Sequence, residues 1–252
     1  MQTLMRKLTL FPLAAILALA VAAASAQSAN FTISQHGHSV GRASFNFTAG
    51  PSGYDSTALV IIKMQGLDYS LSKTERLSTA NHLRHVQLSA AVNGKAVNVT
   101  AAPDADQFLL TISASGQATN TRLPAHTAAV FLPDFDPGAF ETLLALGVAR
   151  NNRDIWAIIP KGTGSIEPIQ LATHADEQGT LDGKPVVVHH LVATIAGSVT
   201  DLFSGPENQL LQVELPEKGF ALVRNGFVLT PPAKPGAPPA QPPAQPDEQP
   251  TQ

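Results

Sequence analysis

The dipeptide Asn93-Gly94 constrains the fold of this chain more than any other feature of its sequence. It lies in the middle of HVQLSAAVNGKAVNVTA (residues 85–101), where apolar and polar residues alternate on both sides. Both positions tolerate the positive φ angles of a type I′ turn, so the segment is predicted to form a tight β-hairpin. This turn fixes one register, in which one face is apolar except for a lysine at its rim. The predicted pairs are Val92 with Lys95, Ala90 with Val97, Leu88 with Val99 and Val86 with Ala101.

Much of the remaining central chain also has the pattern of short strands. Runs of apolar and β-branched residues are separated by turn residues, which is typical of an antiparallel sheet. The segment PEKG (residues 216–219) is predicted to connect the last two strands. The further strands predicted are Thr57–Leu67, Gln107–Ser113, Asp154–Ile159, Ser165–Thr173, Pro185–Ile195, Gln209–Leu215 and Phe220–Arg224.

One amphipathic helix is predicted at about residues 137–149. Asp136 is a good N-cap, and Pro137 suits the first helical position. The predicted fold class is therefore mainly β (α+β): a curved, mostly antiparallel sheet that forms an open barrel or sandwich, with the helix over one face or end. The helical stripe predicted to face the sheet consists of Phe140, Leu143, Leu144, Gly147 and Val148.

The segment His36-Gly37-His38 admits two interpretations. Residues two apart on a strand lie on one face, so the two imidazoles could bind a metal ion. Alternatively, Gly37-His38 forms a type II′ turn and Gly41 forms a β-bulge, which gives both glycines a structural role. The hairpin is the favoured interpretation, since no third ligand is apparent. Its predicted pairs are His36 with Ser39, Ile33 with Ala43, Phe31 with Phe45 and Ala29 with Phe47.

The other clusters of polar residues also have structural explanations. His189 and His190 are adjacent in a predicted strand, so their side chains should point to opposite faces. The pairs Asp134/Asp136 and Asp104/Asp106 lack the further ligands of a helix-loop-helix calcium site, and cap and turn roles are favoured. An incidental calcium site at Asp134 and Asp136 remains open.

Motifs of catalysis and cofactor binding are missing from the sequence. It contains no G-x-S-x-G elbow, no H-E-x-x-H zinc helix and no phosphate loop. The Gly-rich segment 161–167 joins two predicted strands, whereas a phosphate loop opens a helix. No catalytic residue, cofactor or metal is therefore predicted, although a triad assembled in space stays open.

The two ends of the chain differ from its centre. Residues 1–26 have the pattern of a signal peptide, with Arg6 and Lys7 before an apolar run and Ala24-Ser25-Ala26 as the cleavage motif at Ala24 and Ala26. A spanning helix would need about 20 apolar residues, more than this run offers. Residues 231–252 are Pro-rich and lack large apolar residues, which predicts a disordered tail. We therefore predict a single β-rich globular domain at residues 27–230 and a periplasmic or secreted location.

Charge and cysteine content narrow the possible partners. The formal net charge is −3, and it becomes −5 when two cations, Arg6 and Lys7, leave with the signal peptide. This acidic balance argues against nucleic acid, which requires clustered Lys and Arg. The chain has no cysteine, so its stability must come from burial rather than from disulfides.

The order of features resembles a known kind of protein. A signal peptide precedes FTISQHGHSVGRASFNF (residues 31–47), and DGKPVVVHHLVATI and LLQVELPEKGFALVR follow much later. This order is similar to that of uncharacterised β-rich exported envelope proteins of Gram-negative-type bacteria, which are similar to half-open lipoprotein-carrier barrels. The resemblance implies a curved sheet with an apolar concave side and a role in envelope transport or assembly.

Two functional hypotheses follow. The first is an exported, non-enzymatic protein that binds a lipid, another apolar ligand or an envelope protein on the curved sheet. The alternative is an envelope hydrolase with a spatially assembled site. The Pro-rich tail could also serve as a docking ligand or a spacer.

Overall fold

The computed structural model describes residues 27–231, and the predicted signal peptide and nearly all of the predicted tail lie outside them. The first half of the described chain is an antiparallel meander in which every strand pairs with the next. Its strands are β1 (Gln27–Gln35), β2 (His38–Gly50), β3 (Gly53–Met64), β4 (Leu67–Leu77), β5 (Leu83–Val92), β6 (Lys95–Asp104), β7 (Gln107–Ala114) and β8 (Gln117–Pro124).

The second half of the chain is less regular and contains the α-helix. Its elements are β9 (Ala129–Phe131), α1 (Pro137–Ala149), β10 (Ile155–Ile159), β11 (Ser165–Thr173), β12 (Glu177–Leu181), β13 (Lys184–Ile195), β14 (Ser198–Ser204), β15 (Leu210–Leu215), β16 (Phe220–Arg224) and β17 (Phe227–Leu229). Two short 3-10 turns flank β15.

The strand pairings join both halves into one curved sheet. β1 pairs with β2 on one side and with β16 on the other, and β16 continues through β15 and β14 to β13. β13 pairs with β11 along one part and with β12 along another, and β17 adds to β12. The parallel pairing of β9 with β10 makes the sheet mixed. This large, unclosed and curved sheet confirms the predicted fold class.

The core lies on the concave face of the sheet, where it forms one large cluster of buried apolar side chains. Because side chains alternate along a strand, every second residue of β4 points inward. The inward residues of this strand are Tyr69, Leu71, Lys73, Glu75 and Leu77. Two of them are ionisable, so part of this interior is charged.

The helix has the predicted bounds and closes over one end of the concave face. The Asp136 side chain accepts a hydrogen bond of 2.9 Å from the Gly138 N–H, and Pro137 begins the helix, as predicted. The buried stripe departs from the prediction at one position, because Val148 is 63% exposed whereas Leu146 is buried. Contacts with β2, β3, β9 and β15 enclose the helix on most of its circumference, so even Glu141 and Thr142 are buried.

The Asn93-Gly94 hairpin has the predicted register in every pair. Val92 is opposite Lys95, and the pairing continues without a shift to Val86 opposite Ala101. Asn93 and Gly94 have φ angles of 49° and 76°, as a type I′ turn requires. The Asn93 side chain also accepts a hydrogen bond from the Asp68 N–H, which ties this turn to the preceding strand.

The first hairpin corrects the prediction for Gly37 and Gly41. The turn is formed by His36-Gly37, with φ angles of 48° and 81°, and Gln35 pairs with His38. The register shifts between Ser34/Ser39 and Ile33/Gly41, so Val40 is the additional residue and Gly41 is not the bulge. The position of the turn is fixed by the connection between β15 and β16: the backbone N–H of His36 donates to the Gly219 carbonyl at 2.8 Å.

Gly41 instead permits a close approach to the next strand. A Cβ atom at this position would lie 2.2 Å from the Ile61 carbonyl oxygen of β3. The predicted partners therefore change, and Ile33 pairs with Gly41, Phe31 with Ala43 and Ala29 with Phe45. The apolar residues stay on the buried face nonetheless, because the correction moves the register by two residues.

Candidate functional site

An apolar groove occupies the end of the concave face that the helix does not cover. Its floor is formed by the inward residues of β5, β6 and β7, and one wall is formed by the loops at residues 133–134 and 160–162. The groove has a volume of about 250 Å³. The residues that define it best are Leu71, Leu88, Ala90, Val92, Val97 and Ile112.

The groove exists because inward-facing apolar side chains continue along β5 and β6 past the part of the sheet that the helix covers. Leu88 and Val99 are almost fully buried, whereas Ala90, Val92 and Val97 lie nearer the hairpin turn and are only half-buried. The small side chain of Ala90 leaves space that a larger residue would fill. The result is a dry floor with a partly solvated rim, which is the usual form of a small-molecule site.

The loop wall is fixed to the sheet by polar contacts. The Thr121 hydroxyl donates to the Thr163 carbonyl at 2.6 Å. A Cβ atom at Gly164 would collide with the Leu110 side chain, so only glycine permits this loop to lie so close to β7. Residues 160–164 thus connect β10 to β11, and residues 165–167 already belong to β11, as the absence of a following helix suggested.

One ion pair and one tyrosine mark the mouth of the groove. Lys161 Nζ lies 2.7 Å from Asp134 Oδ1, and both side chains are exposed. The Tyr69 hydroxyl donates to the Asp134 carbonyl at 3.3 Å. Burial raises the pKa of Tyr69, and the nearby Asp134 and Asp136 raise it further, so this phenol remains a neutral donor. Polar groups at the rim and an apolar floor suit an amphipathic ligand.

Three ionisable side chains form a buried charge cluster below the helix N-terminus. Lys73 Nζ lies 2.9 Å from Glu75 Oε2 and 2.6 Å from Asp136 Oδ2, and all three side chains have 0% exposure. Burial lowers the pKa of Lys73, but the two carboxylates outweigh it and the pKa is raised. Burial raises the pKa of Glu75, and Lys73 only partly opposes this effect. The cluster thus combines one ammonium group with two carboxyl groups that are shielded from water.

The predicted pair Asp134/Asp136 is split between these two places. Asp136 caps the helix and contacts Lys73, whereas Asp134 binds Lys161 at the groove mouth. Each carboxylate therefore already has a cationic partner. Within residues 27–231, no group of three or more metal-ligating side chains is positioned to hold a metal ion.

A second cavity lies beside the helix and is more polar. It has a volume of about 340 Å³ and is lined by Gln27, Tyr54, Glu141 and Asn208, among others. The Glu141 carboxylate accepts hydrogen bonds from the Leu210 N–H at 2.7 Å and from the Gln27 side chain. Burial raises the pKa of Glu141 to about 7, although these two donors and Arg224 oppose the shift.

His189 and His190 have different environments, as their adjacent positions on a strand predict. His189 is exposed and lies 2.9 Å from Asp176. His190 is largely buried, stacks on Phe203 and contacts Glu177 and Asp201 at 3.2 and 2.9 Å. Each ring therefore has its own carboxylate partners and the two do not share a ligand.

The remaining predicted site residues lie in turns or outside the described chain. Asp104 and Asp106 flank the β6–β7 turn, and Asp104 forms an exposed ion pair of 3.7 Å with Arg122. The cleavage residues Ala24 and Ala26 precede residue 27 and lie outside the described residues. Sequence reasoning missed Lys73 and Glu75: their spacing of two within a strand places both on one face, but it does not identify that face as the buried one.

Comparison with models of protein families, with curated proteins and with solved structures gives no match. The resemblance to half-open lipoprotein-carrier barrels thus stays a prediction. In the described part of the chain, no helix has the length and apolar character needed to cross a membrane. The fold defines a mainly β protein with an unclosed, curved sheet, and the function must be argued from the geometry of its cavities.

Proposed function

We propose that this protein is an exported, non-enzymatic binding protein that holds the apolar chain of an amphipathic ligand in the groove of its curved sheet. The observation that carries the proposal is the apolar floor between Leu71, Leu88 and Val97, which the helix leaves uncovered. The export signal at residues 1–26 would place the protein in the periplasm or outside the cell, where it would serve envelope transport or assembly.

The size of the groove selects among apolar ligands. Ligand cavities commonly measure roughly 300–1,000 Å³, and this groove lies slightly below that range. It therefore suits one hydrocarbon chain rather than a complete diacyl lipid. A ligand headgroup would lie at the mouth, where Lys161, Asp134 and the Tyr69 hydroxyl supply polar contacts.

A binding assay with a matched pair of variants tests the proposal. We expect a fluorescent single-chain fatty acid to bind the purified protein, and we expect Ala90→Trp to weaken that binding tenfold or more by filling the groove. Leu59→Trp is the control, since Leu59 is 54% exposed on the opposite face of the meander. Equal affinity of both variants for the fatty acid, or no binding by the unaltered protein, would contradict the proposal.

The ligand class has a second test. Native mass spectrometry of the protein purified from its source should show a bound single-chain lipid. If the groove instead receives an apolar side chain of an envelope protein, a cross-linker placed at Val97→Cys should capture a protein and the lipid signal should be missing. That second result would replace the lipid ligand by a protein partner at the same site.

The hydrolase alternative has one observation in its favour. Glu141 lines the polar cavity, and its pKa of about 7 is in the range of a general acid or base. Both of its oxygens are, however, already bound by Leu210 and Gln27. Ester and glycoside substrates distinguish the hypotheses: turnover that Glu141→Gln abolishes would establish the hydrolase.

A further inference from the structure

The buried charge cluster has the composition and geometry of a reaction site. Lys73 supplies an amine, Asp136 a carboxyl group, and Glu75 a second carboxyl group that touches the amine. All three side chains are fully buried, so water competes for neither the amine nor the carboxyl carbon. Two polar atoms, Glu75 Oε1 and Asp136 Oδ2, have no hydrogen-bond partner within the described chain.

We propose that Lys73 and Asp136 become joined by an intramolecular amide bond, with Glu75 as the group that transfers a proton from the attacking nitrogen to the leaving oxygen. The Nζ atom lies 2.6 Å from Asp136 Oδ2, so the amine and the carboxyl group are in direct contact. The fold thus holds amine and carboxyl group together in the way that makes intramolecular reactions fast.

Burial makes the reactive forms of Lys73 and Asp136, the neutral amine and the carboxylic acid, more accessible than in water. The ammonium of Lys73 and the carboxylate of Asp136 are the stable forms in water, where no amide would form. The two carboxylates keep Lys73 as an ammonium in the resting state, but a low dielectric makes the neutral amine and carboxylic acid less costly to reach than in water, because burial penalises the charged forms. Transfer of one proton from Nζ to Oδ2 across the 2.6 Å contact generates this neutral pair.

The helix N-terminus stabilises the charge that develops during attack. The Nζ lone pair attacks Cγ of Asp136, and the C–O electron pair moves onto Oδ1. Oδ1 already accepts a hydrogen bond of 2.9 Å from the Gly138 N–H, which lies in the first turn of α1. A preorganised backbone donor at the site of the developing oxyanion is the established device for acyl transfer.

Glu75 completes the reaction by moving one proton. Its Oε2 contacts Nζ at 2.9 Å, so its carboxylate accepts a proton from the attacking nitrogen and then delivers it to Oδ2. The C–Oδ2 bond breaks and this oxygen leaves as water, while Oδ1 becomes the amide carbonyl. The balance is one ammonium and one carboxylate in, one amide and one water out, with no oxidant and with Glu75 unchanged.

The bond would give the fold a cross-link that its sequence otherwise lacks. The chain contains no cysteine, and small exported domains are commonly stabilised by disulfides. The amide would join β4 to the start of α1, and the five strands β5 to β9 lie between these two elements in the sequence. Closure of such a long loop restricts the unfolded chain in the same way as a disulfide does. It would also remove two buried charges, since the ammonium and the carboxylate both become neutral.

Mass spectrometry of the folded full chain tests the bond directly. We expect the Lys73→Met variant to show a mass that matches its sequence, whereas the unaltered chain should be lighter than its sequence by one water. A proteolytic digest of the unaltered protein should contain a branched peptide that joins Lys73 to Asp136. The exposed pair Lys161–Asp134 is an internal control, since its atoms are equally close at 2.7 Å but solvated. Its two peptides should stay linear.

Two conservative variants separate the reaction from the fold. Asp136→Asn should form the same amide with loss of ammonia, so its mature mass should equal that of the unaltered protein. Glu75→Gln should fold, as judged by circular dichroism, and form the bond at least tenfold more slowly. Linear peptides and the full sequence mass in folded protein after prolonged incubation would overturn the proposal. A Glu75→Gln variant that reacts at the normal rate would overturn the assignment of the proton transfer.

Discussion

The concave face of the sheet has two ends that reverse the usual relation between polarity and burial. At the covered end, the helix lies over Lys73, Glu75 and Asp136, which are charged groups with no exposure. At the open end, Ala90, Val92 and Val97 are apolar and only half-buried. Most proteins bury apolar groups and expose charged ones, so each end of this face departs from the rule in a different direction.

This contrast in polarity and burial indicates that different interactions stabilise the two ends of the concave face. Buried charges are tolerated only when they are paired, and pairing requires positions that the fold fixes accurately. Exposed apolar surface is tolerated when it is small, and it marks a place where something else can bind. The covered end therefore determines how the sheet and helix are joined, whereas the open end is available for a ligand.

The largest effect is expected from breaking the charge cluster at the covered end. Asp136→Ala would remove the nearest partner of Lys73 and the cap of the helix, and it would also prevent the proposed amide. We expect a loss of about 3–5 kcal/mol in the free energy of unfolding, measured with denaturant. Asp134→Ala at the exposed pair is the matched control and should cost about 1 kcal/mol or less. Equal costs would show that burial does not distinguish the two pairs.

The second effect concerns the pH dependence of stability. The pKa of Glu141 is raised by burial from 4.5 to about 7, so between these values the native chain holds a proton that the unfolded chain has released. The contribution of Glu141 to stability should therefore be greatest below pH 4.5 and fall as pH rises towards 7, by up to about 3 kcal/mol. Glu141→Gln should make the decline shallower in denaturant titrations, because only Glu75, whose pKa burial also raises, then contributes to it. An unchanged decline in Glu141→Gln would assign it to another group.

The third effect compares two valines that lie on the same face of β6. Val99 is 1% exposed, whereas Val97 is half-buried at the groove rim. Val99→Thr buries a hydroxyl and should cost about 1–3 kcal/mol of stability. Val97→Thr should change stability by about 0.5 kcal/mol or less and instead weaken fatty-acid binding. Similar stability losses at both positions would mean that the rim of the groove is as tightly packed as its floor.

The smallest effect is expected at the groove mouth. Lys161→Met removes an exposed ion pair, so the free energy of unfolding should change by less than about 1 kcal/mol. Affinity for an anionic single-chain ligand should fall several-fold, whereas affinity for an uncharged alcohol of equal length should be unchanged. An equal loss for both ligands would show that Lys161 shapes the groove rather than contacts the headgroup.

The regular hairpins of the first half could be predicted because their information is local. Asn93-Gly94 sets both the turn and the register, and no distant contact changes them. The predicted strand Thr57–Leu67 was wrong at its end, because it crossed the turn at Gln65-Gly66 that separates β3 from β4. Gly66 has a φ angle of 81°, and this glycine is a turn signal that the predicted strand did not take into account.

Strand β4 was missed for a physical reason that bears on the site. Its inward face carries Lys73 and Glu75 between Leu71 and Leu77. The alternation of apolar and polar residues, by which a strand is recognised, is therefore interrupted in the middle of β4. Two charged residues on a buried face become intelligible only when Asp136 is known to lie above them. The unusual part of the sequence and the proposed reaction site are therefore the same residues.

The mainly β class, the Asn93-Gly94 register and the start of the helix at Asp136 and Pro137 all follow from local sequence. These features depend on turn chemistry, side-chain alternation and capping, which act over a few neighbouring residues. Tertiary structure alone decided the pairing of β1 with β16, the displacement of the His36-Gly37 turn, the groove, and the meeting of Lys73 with Asp136. Each of these depends on contacts between distant segments, and local sequence patterns carry no information about such distances.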